Sequence, residues 1–223
     1  MNSHDIKKQN VDFLISQTKQ ILCWALEEFS EKIFMTSAFG FNGIVLLDLV
    51  RDIIPDVPVY FIDTGYHFRE TLELKEYYSQ LGCNIIDMSS RVDNKEAHLE
   101  TLGHDLCCQI NKVEPMRGLL AGREGFLWIT ALSRDQSESR RNISTLQLVS
   151  GGVLKVNPLF AWTMDDVWYY IGENRLVYNE LHDKGYKSIG CQPCSSVVLS
   201  GEEIRVGRWR GCDKEECGLH TKL

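Results

Sequence analysis

From Lys32 onward the chain alternates short β-prone apolar runs with longer amphipathic ones, and this switch of period constrains its fold more than any other feature. KIFMTS over 32–37, VPVYFID over 57–63 and CNIIDM over 83–88 read as strands. Between them, 43–54 and FRETLELKEYYSQLG over 68–82 read as helices. Strands joined through helices must run parallel, so the pattern predicts an α/β fold: a doubly wound, mainly parallel sheet with helices on both faces. FLWITAL over 126–132 adds a buried strand, and TLQLV and VLKVN flank Ser150-Gly151-Gly152 as the arms of a hairpin. Ahead of the alternation, Val11 to Phe29 spaces Phe13, Ile21, Leu22, Ala25 and Phe29 at helical intervals. Behind it, Thr163-Met-Asp-Asp166 has the form of a capping box that opens a helix. After Gly185 the periodicity fades into Gly-containing, charged sequence, a loop-rich segment able to fold over a site. The expected organisation is one domain over 1–223, with an N-terminal helical segment over 1–30 and a functional C-terminal segment over 185–223.

Composition narrows the function. The 223 residues carry 24 basic and 31 acidic side chains, a net charge of −7, which argues against a broad basic surface for nucleic acid or membrane. The N-terminus is polar and the longest apolar runs, such as IVLL at 44–47, are too short to span a bilayer, so a soluble cytoplasmic protein is expected. Eight cysteines in such a chain need a reason other than disulfides. Cys107 and Cys108 are adjacent, Cys191 and Cys194 form a CxxC, and Cys217 sits in a charged tail.

Ligands of doubly wound sheets sit beyond the carboxyl ends of the strands. The first such turn, Ser37-Ala-Phe-Gly40-Phe-Asn42-Gly43, leads small residues into a helix whose N-terminus could receive a phosphate or sulfate; the second is Asp63-Thr64-Gly65. Neither GxGxxG nor GxxxxGK[ST] occurs, which counts against dinucleotide and Walker-type binding. Four thiolates could hold zinc or an iron–sulfur cluster, and the vicinal pair favours the cluster, because neighbouring side chains on a helix diverge by about 100° and converge poorly on one ion. Cys217 is the candidate nucleophile. Arg205, Arg208, Arg210, Lys214 and His220 could lower its pKa, whereas Glu215 and Glu216 would oppose that.

Over most of its length the chain resembles the sulfonucleotide (APS/PAPS) reductases, specifically the iron–sulfur branch that acts on adenylylsulfate (APS). The residues that carry the likeness are TSAFGFNGIVLLDL, FIDTGYHFRETLEL, DLCCQINKVEPMRGLL, WITALSRDQS, KVNPLFAWTMDDVWYYI, GCQPCSS, RVGRWRG and the terminal ECGLH. The resemblance implies a PP-loop, adenine-nucleotide α-hydrolase type of sheet. It also implies a [4Fe–4S] cluster on Cys107, Cys108, Cys191 and Cys194, and Cys217 as nucleophile. By the same likeness Lys112, Arg134, Arg205, Arg208 and His220 meet the sulfate and phosphate, and Ser37 and Gly40 belong to the modified PP-loop. The implied reaction is APS to sulfite and AMP through an S-sulfocysteine, in sulfate assimilation, with thioredoxin or glutaredoxin as reductant and a homo-oligomer as the working form.

Departures stand at Ala131 and Ser133, where the family usually has Gly and Arg, and at Phe41-Asn42-Gly43, which replaces a more acidic turn. A PAPS or dual-specificity reductase is the nearest rival reading. A PP-loop sulfur-transfer or tRNA-modifying enzyme would want SGGxDS in place of Ser37-Ala-Phe-Gly-Phe-Asn, and a zinc-stabilised binding module would leave Cys217 without a task. The tail is expected to move, because Cys217 must face a small nucleotide first and a protein dithiol second.

Overall fold

The computed structural model describes residues 2–89, 103–221 and 223. Its strands are β1 (Ile33–Thr36), β2 (Val59–Asp63), β3 (Ile85–Ser89), β4 (Leu127–Ile129), β5 (Leu146–Val149) and β6 (Val153–Val156). They form one sheet in the order β3-β2-β1-β4-β6-β5, with every pairing parallel except β5 against β6. The expected mainly parallel α/β sheet is therefore what the chain builds. From β1 the chain first winds outward through β2 to β3 and then returns to place β4 on the other side of β1, so the switch in strand order lies between β1 and β4.

Alternate residues of the central strands feed opposite faces. Ile33 and Met35 of β1 and Leu127 and Ile129 of β4 enter the larger core, while Phe34 and Trp128 enter a smaller one. The larger core is closed by α1 (Ser3–Phe29), α2 (Phe41–Arg51), α3 (Arg69–Gln80) and α5 (Met164–Asn174); the smaller is closed by α4 (Glu114–Leu120) and by Leu219 and Leu223 of the C-terminal segment. Helix α2 is apolar on nearly all sides, as a helix buried between a sheet and two other helices must be.

Three local differences from the sequence reading have physical causes. Helix α1 begins at Ser3 instead of near Val11, because Asn2 and Asp5 form a capping box ahead of the apolar positions. The run 126–132 contributes only Leu127–Ile129 to the sheet; Thr130 to Leu132 line the switch-point crevice and Phe126 packs against the smaller core. Residues 103–120, for which the apolar pattern gave no element, are helical throughout, with a π-helical turn at Gln109–Val113 between the cysteines and α4. Pro115 stands in the first turn of α4, where a missing N–H costs little.

The capping box at Thr163 is present and does more than start α5. Asp166, buried, accepts from the Thr163 amide at 2.9 Å and, through its other oxygen, from Lys7 Nζ at 2.8 Å and Asn10 Nδ2 at 3.0 Å, tying α5 to the far end of α1. Burial opposes the charge, but these donors outweigh it and hold the carboxyl below the usual aspartate range. Its contribution is thus present above the unfolded aspartate pKa of about 4 and lost as pH falls through the lower folded value. Asp166→Ala should cost about 2 kcal/mol in urea unfolding at neutral pH and reduce the acid sensitivity below about pH 4; an unchanged midpoint would show that α1 docks without this tie.

Candidate active site

A cavity of about 240 Å³ opens where the sheet order switches. The turn after β1 supplies Ser37, Ala38 and Gly40, the end of β2 supplies Ile62, the segment after it His67, and the turn after β4 Thr130, Ala131 and Leu132. The C-terminal segment closes it with Arg205, Glu216, Cys217, Leu219 and His220, and Lys112 reaches in from the π-turn. Of the candidate ligand and catalytic residues, Ser37, Gly40, Lys112, Arg205, Cys217 and His220 are brought together here.

The first turn is shaped for a ligand. Phe39 takes a left-handed φ of 53°, a strained choice for an aromatic residue, and is held there by packing on Phe61 and Tyr78 at ring distances of 5.7 and 6.2 Å. Ser37 Oγ accepts from the Phe39 amide at 3.1 Å, and a Cβ at Gly43 would stand 2.8 Å from that oxygen. Gly40 is the N-cap of α2 with no side-chain cap, and a Cβ there would meet nothing within 4 Å. The helix start is therefore open to the cavity, with its N–H groups aimed at it.

The lining holds polar atoms that the described residues do not satisfy. Asn42 Oδ1, His67 Nδ1, His182 Nε2 and His220 Nδ1 are buried without a hydrogen-bond partner among the described residues, and all four residues line the cavity. Each such atom costs about 1–3 kcal/mol unless something polar meets it, a pattern that marks a binding surface. His220 lies stacked on Trp128 at 5.4 Å, and burial, with Arg140, Lys155 and Arg205 nearby, drives its pKa well below the ordinary histidine value, so it is neutral at physiological pH. Lys155, itself buried and pushed down to about 8 by that burial, sits over the same indole at 5.5 Å.

Behind the cavity the four cysteines of the two pairs line a second, smaller space together with Thr64, Tyr66, His104, Asn111, Lys112 and Pro193. Cys107, Cys108, Cys191 and Cys194 are all buried. Thr64 Oγ1 lies 3.3 Å from Cys191 Sγ, Asn111 Nδ2 donates to the Cys107 carbonyl at 3.1 Å, and Trp209 packs against Cys108, Cys191 and Cys194. The buried indole N–H of Trp209 has no acceptor among the described residues. Among those residues no three His, Cys, Asp or Glu form a group that could hold a metal ion.

Lys112 borders both spaces. Burial works against its charge, but the sulfurs of Cys191, Cys217 and Cys108 outweigh that and raise its pKa. In return, and against burial, Lys112, the Thr64 hydroxyl and Arg208 lower the pKa of Cys191, whereas burial pushes Cys107 and Cys108 up and Cys194 up to about 11.

Two expected ligand arginines stand elsewhere. Arg134 lies outside the lining: its guanidinium covers Phe160 at 4.9 Å and donates to the Ile143 carbonyl at 3.3 Å, since the turn at Arg134–Gln136 carries it to the exposed side. Arg208 is one layer behind the wall, over Trp209 at 4.5 Å and donating to the Cys194 carbonyl at 3.2 Å. It packs so tightly on Gly190 that a Cβ there would fall 2.3 Å from the guanidinium, which is why that position is glycine. Arg140, six positions after Arg134 and missed in the sequence, takes the place in the cavity wall. Its neighbour Arg141 pairs outward with Glu138, so SESRR by itself could not say which arginine turns in. Glu216, read from sequence as an opponent of Cys217 ionisation, is instead neutralised by Arg140 and Arg205.

Comparison with known proteins accords with this geometry. The phosphoadenosine phosphosulfate reductase domain matches residues 32–197. An adenosine 5'-phosphosulfate reductase of Bacillus velezensis is 40% identical over 209 residues, covering 90% of this chain and 89% of its own. Adenosine 5'-phosphosulfate reductase 2 of Bacillus subtilis is 39% identical over 226 residues, covering 97% and 94%. Among solved structures, a phosphoadenylyl-sulfate reductase of Candida auris in a phosphate complex superimposes with a TM-score of 0.68 at 28% identity, covering 89% of this chain and 98% of its own. The chain belongs to the APS/PAPS reductase family, and its sheet is the PP-loop type that the resemblance implied.

Proposed function

We propose that this chain reduces adenosine 5'-phosphosulfate to sulfite and AMP in sulfate assimilation, a reading carried by the convergence of Cys217, Lys112, Arg205 and His220 on one cavity at the switch point. The nucleotide enters over Ser37 and Gly40, with its anionic groups toward the open start of α2 and the cations of the tail. The Cys217 thiolate attacks the sulfur of the sulfate group; the S–O bond to the phosphate breaks, AMP leaves with the electron pair, and Cys217 carries the sulfo group. A thiolate of a dithiol protein of the thioredoxin or glutaredoxin kind then attacks the Cys217 sulfur. Sulfite departs with the S–S electron pair, and the partner's second thiol resolves the mixed disulfide and returns Cys217 as thiol. Lys112, Arg140 and Arg205 neutralise the charge that gathers on the phosphate oxygens, and neutral His220 offers a ring nitrogen to the same group. Arg208 supports this wall from behind Gly190, and Arg134 serves the turn that presents Arg140.

Cys107, Cys108, Cys191 and Cys194 would hold a [4Fe–4S] cluster. Their shared buried space and the Trp209 N–H, which has no acceptor among the described residues and is a suitable donor to sulfur, support this reading, and the vicinal pair Cys107–Cys108 favours a cluster over a single zinc ion. When bound, such a cluster supplies a negative, rigid body behind Lys112, while the electrons of the reaction come from the dithiol. The proposed unit is a single cytoplasmic sulfonucleotide reductase domain that works as a homo-oligomer, with 185–223 supplying the cluster loop and the catalytic tail. Among the described residues no helix is long and apolar enough to cross a membrane.

Three outcomes test this reading. Cys217→Ser should retain iron and its visible absorbance yet release no sulfite, whereas Cys191→Ser should lose both; normal sulfite release by Cys217→Ser would end the nucleophile assignment. Zinc in place of iron after anaerobic purification would return the binding-module reading. Gly40→Ser adds a favoured N-cap side chain that occupies the N–H groups facing the cavity, so the melting temperature should hold while AMP affinity falls about tenfold; unchanged AMP binding by calorimetry would place the nucleotide elsewhere.

A further inference from the structure

Among the described residues, Glu216 is the one charged residue of the cavity wall with no part in the chemistry above. A carboxylate beside a nucleophilic thiol opposes thiolate formation and repels an anionic substrate, so its presence there needs a compensating role. Its Oε1 accepts from Arg140 Nε at 2.7 Å and its Oε2 from Arg140 Nη2 at 2.9 Å, a two-pronged pair, and Oε2 also accepts from Arg205 Nη2 at 3.3 Å. The Arg140 and Glu216 side chains are each only 13% exposed, which sets this pair apart from the solvated ion pairs of the surface. Arg205 donates further to the Glu215 carbonyl at 2.8 Å, and Arg140 is itself fixed by Gln136 in the turn after β4. The chain immediately before Cys217 is thereby fastened to a turn of the sheet. Immediately after it, Leu219 packs into the smaller core and His220 stacks on Trp128. The thiol is bracketed on both sides.

We propose that Glu216 is a positioning residue: through its two-pronged pair with Arg140 it docks the tail so that the Cys217 thiol faces the cavity when the nucleotide arrives. The assignment rests on the reading of Cys217 as nucleophile. It gives the adverse charge a purpose, because the same carboxylate that would disfavour a thiolate is neutralised by the two guanidiniums it recruits. An amide in its place keeps the size and loses the charge-assisted pair, while aspartate keeps the charge and shortens the reach, so the two substitutions separate charge from shape.

The test uses the full chain with its iron intact and reads Cys217 twice. Alkylation of Cys217 by iodoacetamide, a neutral reagent, is followed by peptide mass in the absence of nucleotide. Formation of the sulfo adduct is followed in a single turnover with adenosine 5'-phosphosulfate. Glu216→Gln should raise the alkylation rate about tenfold and lower the rate of adduct formation about tenfold, with Glu216→Asp between it and the parent in both. Discharge of an adduct already formed, by dithiothreitol, should not slow. Adduct formation that is unchanged or faster in Glu216→Gln overturns the proposal, whether or not alkylation rises, since the carboxylate then acts only as an adverse charge. Failure of the parent protein to form any adduct would instead strike at the reductase reading, and equal alkylation rates in that case would remove the docking role as well.

Discussion

The charge of Lys112 is the point on which the two halves of the site depend. It stands between four buried thiols and a cavity built for an anion, and it keeps its charge against burial because sulfur atoms surround it. A lysine so placed has to come from a backbone that presents consecutive residues to two different spaces. The π-turn at Gln109–Val113 does this: it follows directly on Cys107 and Cys108 and turns Lys112 across the wall while Asn111 stays with the thiols. A regular helix through this stretch would sweep these side chains round at even intervals. The irregular turn trades some backbone regularity for the placement of one cation.

The sheet determines where that cation is useful. Because the strand order reverses between β1 and β4, the turns that follow these two strands diverge and leave a crevice, into which the helix start after Gly40 points. The C-terminal segment then adds what the sheet cannot supply, a thiol and the guanidinium of Arg205. It carries little regular structure and is held by discrete ties: the bridge of Ser195 with Arg208, the guanidinium of Arg208 on Gly190, and His220 on Trp128. A segment held in this way can leave the sheet by withdrawing only Leu219 and Leu223 from the smaller core, which suits a nucleophile that serves a nucleotide and then a protein. In this structure the tail is docked, and the expected movement of Cys217 would be a departure from that state.

Much of this was legible in the sequence because it depends on local periodicity and on spacing. The βαβαβ alternation fixed the sheet class, the small residues from Ser37 to Gly43 marked the first turn, and CC with CxxC marked a shared thiol site. What was not legible depends on contacts between distant positions or on backbone irregularity. Arg140 and Arg141 are adjacent and chemically alike, and only the turn set by Ser133 and Gln136 decides which of them faces inward. Glu216 read as a liability because its partner lies 76 positions earlier. Lys155, in an apolar strand, gave no hint that it would lie buried over Trp128, since that contact is made across strands. The extension of α1 to Ser3 was readable in principle from Asn2 and Asp5, but the first turns carry few apolar residues and so no periodic signal.

In the proposed reaction the thiol of Cys217 takes the sulfo group from a nucleotide held at the switch point and releases it as sulfite when a dithiol attacks the Cys217 sulfur. The most direct measurement is the mass of anaerobically purified protein after exposure to adenosine 5'-phosphosulfate and, in parallel, to its 3'-phosphorylated counterpart, with peptide mapping and subsequent addition of reduced thioredoxin. One SO₃ unit is expected on Cys217, formed preferentially from the first nucleotide and removed by thioredoxin. No adduct from either nucleotide, on protein that retains its iron, would contradict the proposed reaction.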